Sequence, residues 1–323
     1  MRLSLLDRSR TRHGQSESAA LGHTVERAIE VEQLGYERLW VAEHHAVPGI
    51  ASGSPAVLLA AIGARTTRIR LGSGGVMLPN HRPLAVAEQF RMLAALHPGR
   101  IDLGVGRSLG FTEPVRRALG RLEADPESFA REVEELRGHL EGSAPLTARP
   151  GDAGEVPLYV LATGSGIGTA AALGLPVVLG GPFLDSPELP DRLAAYRRAF
   201  RPHRGSAPQV IVSVDALVAD TDAEARELAL PEVWAMVRSR STGEFGALEP
   251  VARIRGTAMS EREARRVQRG LDAVVAGAPQ TVRRRLEQLL ERTGAQEVLA
   301  TGATYDREAL AASDRDLVRL LRG

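Results

Sequence analysis

The chain contains no cysteine. A thiol nucleophile, a thiolate metal site and any disulfide are therefore excluded. Lysine is also absent: all 41 basic side chains are arginine. That removes Schiff-base catalysis, pyridoxal-phosphate attachment and the lysine of a P-loop. No apolar run reaches the length that spans a bilayer, and the N-terminal stretch MRLSLLDR has no signal-peptide core. The basic side chains are balanced by 40 acidic ones, so nothing draws the protein toward nucleic acid or an anionic membrane. The expectation is a soluble cytoplasmic protein.

What is present is an alternation. Short apolar runs at 3–6, 38–42, 69–73, 101–105, 158–161, 177–179, 210–219 and 297–300 read as eight strands. Most are followed by a helical period, beginning with 24–34, which Gly35 ends. Thr221 with Glu224 and Ser260 with Glu263 are capping boxes. Residues 143–155 form a Gly/Pro-rich linker, and 238–250 form a polar, aperiodic stretch expected to act as a lid. The fold expected is a single (β/α)8 TIM barrel with loop insertions over residues 1–323. A doubly wound open sheet is the structural alternative.

In such a barrel, strand C-terminal ends face the ligand. The run from Leu39 to Ala42 ends there in Glu43, His44 and His45, before Pro48 and Gly49 turn the chain. A catalytic imidazole is one reading; a hydrogen-bonded histidine pair capping the barrel is the other. No metal site is expected, because the first strand end carries no H-x-H and H-E-x-x-H is absent. Gly72-Ser73-Gly74-Gly75 permits close backbone approach to a flat ligand, or is a simple tight turn. Thr163-Gly164-Ser165-Gly166-Ile167-Gly168 links a strand to a helix start and suits an anion. Arg107, just beyond the fourth strand, suits a phosphate if it is not simply a surface arginine. His13, His23, His139 and His203 read as solvated. His97 precedes a turn, and His81 follows the loop of the third strand.

Several stretches together resemble the luciferase-like flavin monooxygenase family, in its single-chain branch with polyketide-tailoring members. They are WVAEHH at 40–45, RIRLGSGGVMLPNH at 68–81, AEQF at 87–90 and HPGRIDLGVGR at 97–107, with AALGLP at 171–176 and ADTDAEA at 219–225. The resemblance implies a (β/α)8 barrel that takes reduced FMN from a separate reductase, with O2 as co-substrate. An organic substrate is oxidised through a flavin C4a-peroxide. His44 matches the family's catalytic histidine, with Glu43 or His45 orienting it and a pKa suited to neutral pH. The flavin-binding set implied is Gly74, Gly75, Val76, Arg107, Thr163, Gly164, Ser165 and Gly166, with a non-prolyl cis peptide at Gly74–Gly75 beneath the isoalloxazine ring. A homodimer is expected. The chain departs from the pattern at Ser165-Gly166, where hydroxyl and aromatic residues are frequent, and at Arg8, where a glutamine often follows the aspartate. The expectation is therefore weak binding of oxidised FMN. A deazaflavin-dependent oxidoreductase and a non-catalytic flavin-binding barrel are the alternatives.

Overall fold

A computed structural model describes residues 2–123, 125–164 and 166–322. Its strands are β1 (Arg2–Asp7), β2 (Arg38–Val41), β3 (Arg70–Met77), β4 (Ile101–Gly106), β5 (Leu158–Ala162), β6 (Val177–Gly180), β7 (Val210–Val218), β8 (Val275–Gly277) and β9 (Glu297–Thr301). β1 to β7 pair in chain order, β7 pairs with β9, and β9 returns to β1, every ladder parallel. The ring is thus the closed (β/α)8 barrel expected, with the eight anticipated strands as its staves. β8 lies outside it, on the far end of β7, with Val275 opposite Ala216. Its three residues, Val-Ala-Gly, are too few to carry a readable period.

Strands covered on both faces must be apolar on both faces. The outer face of the barrel packs a large core against the helices, with Leu5, Leu39, Leu71, Leu103 and Val160 fully buried. The inner face is layered. Near the N-terminal strand ends, Arg38 Nη1 donates to Asp102 Oδ2 at 2.6 Å and its Nε to Glu297 Oε1 at 2.7 Å. Ser4 Oγ donates to the same Glu297 oxygen at 2.5 Å. Two residues further along the strands, Leu6, Trp40 and Leu299 pack with Tyr159, Val178 and Ile211. A Cβ on Gly72 would lie 2.5 Å from Trp40 Nε1, so the indole requires glycine there. The plug closes the lower barrel and leaves the C-terminal rim for ligands.

Both capping boxes form, opening helices Asp222–Thr242 and Glu261–Ala273. The first helix, Glu17–Leu34, begins a full two turns before the expected position. Ser16 caps it by accepting from the Ala19 N–H at 3.3 Å, and the solvent-facing polar residues of its first turns hide the period. Residues 238–250 are not a free lid. Arg238 to Thr242 complete a helix, and Phe245 packs with Val47, Ile50 and Ala235. The Gly49 N–H donates to Phe245 O at 2.8 Å and that of Leu248 to Thr11 O at 2.9 Å. His139 is buried rather than solvated, with Nδ1 3.0 Å from Leu146 O. Among the described residues, no helix is long and apolar enough to cross a membrane.

Candidate active site

The C-terminal ends of β2 to β6 surround a cavity of about 1090 Å³. β2 brings Glu43, His44 and His45 to its wall, β3 brings Gly74 and Gly75, and the segment after β4 brings Arg107. Thr163, Gly164 and Gly166 line it after β5; Ser165 lies outside the described residues. Val76 does not join them, because its side chain is turned into the outer core. The Gly74–Gly75 peptide is cis. Both positions are tight: a Cβ on Gly75 would lie 2.8 Å from the backbone Gly104 O, and one on Gly74 2.6 Å from Leu6 Cδ1, whose side chain would have to shift.

His44 is fixed from its backbone. Its N–H donates to Ser52 O at 2.9 Å, and Ser52 Oγ donates to Ala42 O at 2.7 Å, tying the loop back to the end of β2. The ring Nδ1 is buried without a hydrogen-bond partner among the described residues. Burial, aided by the positive charges of Arg8 and Arg10, pulls its pKa down to about 4. The shift takes His44 below the near-neutral pKa expected and favours the neutral ring at pH 7. Arg8 has a second set of ties, to Asp215 Oδ1 at 3.2 Å and Glu232 Oε1 at 3.1 Å, and Arg10 Nε donates to Glu232 Oε2 at 2.7 Å. Arg8 thus contributes charge near the imidazole.

Glu43 does not orient His44. Its buried carboxylate is turned the other way: Oε1 meets His45 Nε2 at 2.6 Å and His81 Nε2 at 2.7 Å, and Oε2 accepts from the Met77 N–H at 3.1 Å. Burial raises the Glu43 pKa, but the hydrogen bonds from His45 and His81 outweigh it and hold the carboxyl below its usual range. The hydrogen bond to Glu43 raises His81.

Sequence reasoning missed Arg116, which also lines the cavity. It sits on the unanticipated helix Glu113–Ala118, and its Nε is buried with no hydrogen-bond partner among the described residues. The signal was there: Thr112 stands at the N-cap with Pro114 in the first turn. Neither Arg107 nor Arg116 has a carboxylate partner among the described residues. Two guanidinium groups with no ion-pair partner among the described residues, one with an orphaned N–H, fit an anionic group, although Glu43 and Glu123 line the same cavity. The glycines 74, 75, 106 and 180 leave the wall free of side chains, which fits a flat ring.

Comparison with known proteins identifies the family. The family profile described as luciferase-like monooxygenase matches residues 1–297. A luciferase-like monooxygenase of Escherichia coli is 37% identical over 315 residues, 95% of this chain and 92% of that protein. N-acetyl-S-alkylcysteine monooxygenase of Bacillus subtilis is 38% identical over 239 residues, 70% of each chain. Among solved structures, apo-MsnO8 superposes with a TM-score of 0.88 at 33% identity, covering 99% of this chain and 98% of that one.

Proposed function

This chain belongs to the luciferase-like monooxygenase family, and from that premise we propose that it oxidises a small organic substrate with O2 and reduced FMN supplied by a separate reductase. The observation that carries the reading is one cavity holding both an unpaired cationic wall, Arg107 and Arg116, and a neutral, unpartnered imidazole, His44. Arg107, Arg116 and the Thr163 hydroxyl would hold the phosphate, with the N–H groups that open helix Gly166–Leu173. Gly74 and Gly75 would leave room for the ring. When bound, the reduced flavin supplies the electrons that activate O2. The chain's own tasks are to position the substrate, exclude water and manage a proton. We assign the proton to His44 Nδ1, a buried ring atom with no hydrogen-bond partner among the described residues.

Anaerobic titration with reduced FMN and, separately, with a reduced deazaflavin, each followed by air, tests the cofactor. Tight deazaflavin binding without O2 consumption would overturn the reading. In the same calorimeter, Arg107→Ala is expected to weaken FMN by ~1.5–3 kcal/mol, the worth of a buried charge-assisted contact. Riboflavin, which has no phosphate, should barely respond. Equal losses for both ligands would remove Arg107 from the phosphate.

The reading includes a homodimer. Val57, Met92 and Leu96 are 72%, 56% and 66% exposed on the adjoining helices Pro55–Gly63 and Pro83–Leu96, apolar side chains that a second copy would cover. Sedimentation at the single-chain mass of 34.6 kDa would remove that part.

A further inference from the structure

The proton chemistry assigned to His44 leaves Glu43, His45 and His81 unused. We propose that these three side chains form a binding site for a divalent transition-metal ion, Zn²⁺ by ligand type, in the wall of the cavity. One carboxylate oxygen and two imidazole nitrogens all lie within 4.8 Å of one another. Two imidazoles and a carboxylate are a donor set that zinc takes in open, three-ligand sites, and one that other first-row divalent ions also accept.

The geometry is close to what an ion needs. Zinc–ligand bonds of ~2.0–2.2 Å place the ligand atoms of a tetrahedron ~3.3–3.6 Å apart. The existing contacts to Glu43 Oε1, 2.6 Å from His45 and 2.7 Å from His81, would open by less than ~1 Å, assuming that target spacing. The parts able to move are the right ones. Glu43 is buried and held through its second oxygen by the Met77 N–H, an outer contact of the kind that orients ligating carboxylates. The two rings have side chains 21% and 31% exposed and can shift. As the side chains stand, both Nε2 atoms converge on a single oxygen, so each ring must carry its proton on Nε2 to bond there. A cation would use those nitrogen lone pairs instead and leave the ring protons on Nδ1. Glu43 and His45 line the cavity, so the ion would be reachable from it. The ligands come from the end of β2 and the turn after β3, which is why no local H-x-H or H-E-x-x-H spacing announces them.

The test uses the full chain, untagged and chelator-treated, and needs no flavin, so its outcome is separate from that of the monooxygenase reading. Equilibrium dialysis against ZnCl₂ should give one Zn²⁺ per chain at micromolar free metal. His81→Ala and His45→Ala should each weaken binding by more than the ~10–100-fold that loss of an outer partner costs, while His97→Ala should leave it unchanged. The Co²⁺-loaded wild type should show the visible bands of a four- or five-coordinate ion, and both ligand variants should lose them. Substoichiometric zinc, an aqua-ion cobalt spectrum in the wild type, or binding indifferent to both substitutions would overturn the site. The cobalt spectrum judges the wild type directly, so the proposal stays testable even if a variant folds poorly.

Discussion

His44→Ala should lower turnover by ~10²-fold or more, the usual loss when a positioned acid or base is removed, while leaving flavin binding largely intact. The reasoning is spatial. Arg107 and Arg116, the groups assigned to the phosphate, lie on the segment after β4 and on helix Glu113–Ala118, whereas His44 stands at the end of β2. Removing the imidazole takes nothing from the anion-binding wall. It does remove a buried nitrogen with no partner among the described residues, favoured as the neutral form by burial and by Arg8 and Arg10. Single-turnover kinetics with reduced flavin supplied, beside a flavin titration of the same variant, separates the two effects. Wild-type turnover in the variant would end the assignment of the proton to His44. A parallel collapse of flavin affinity would instead make the ring a binding group.

Arg27→Met should destabilise the protein by about 3–5 kcal/mol, the cost of stripping the partner from buried opposite charges. Arg27 is buried on helix Glu17–Leu34 and makes paired bonds to Asp314, Nε to Oδ2 and Nη2 to Oδ1, both at 2.8 Å. Its Nη1 reaches Asp7 Oδ2 at 2.9 Å and Gly302 O at 3.2 Å. One guanidinium therefore joins the end of β1, the segment after β9 and the last helix, Arg307–Arg322. Methionine keeps much of the length and none of the charge, leaving two carboxylates in the interior. The pH dependence follows. Burial alone would raise the Asp7 pKa, but the Arg27 charge and the hydrogen bonds from Ser9, Thr24 and Arg27 outweigh it, and the net shift is below 3.8. A carboxyl depressed on folding contributes stability that is fully present above its unfolded value of 3.8 and is lost as the pH falls through its folded value. Without Arg27 the burial effect is less opposed and the folded Asp7 pKa rises toward its unfolded value, so the destabilisation should be largest at neutral pH and the stability that Asp7 loses on acidification should shrink. Urea unfolding across the acid range checks both statements. A stability within ~0.5 kcal/mol of wild type, the size of an ordinary surface change, would mean that the carboxylates find other partners.

Much of the architecture was legible residue by residue. Buried parallel strands must be apolar on both faces, so Leu39 to Val41, Leu158 to Leu161 and the 210–218 segment stand out as largely apolar stretches. Thr221 with Glu224 and Ser260 with Glu263 mark helix starts because the capping contacts close within four residues. The same locality placed the histidines, the paired glycines and Arg107 at strand ends, and hence on one rim. The absence of cysteine and lysine excluded whole classes of chemistry without any structure.

Other properties depend on residues far apart in the chain, and no local pattern encodes them. Glu43 is adjacent to His44 in sequence, yet its carboxylate bonds to His45 and to His81, which arrives from the turn after β3. The low pKa of His44 depends on burial first and then on Arg8 and Arg10, carried in by the end of β1. Val76 follows two cavity-lining glycines, yet its side chain belongs to the outer core, on a strand whose register shifts between Gly74 and Val76. Arg38, Asp102 and Glu297 read separately as ordinary charged residues, and only closure of the barrel brings β2, β4 and β9 together to bury them as one network. Secondary structure responds to neighbours a few residues away, which the chain itself lists in order. Protonation state, orientation and burial respond to neighbours within a few ångströms, and those are assembled only when the barrel closes.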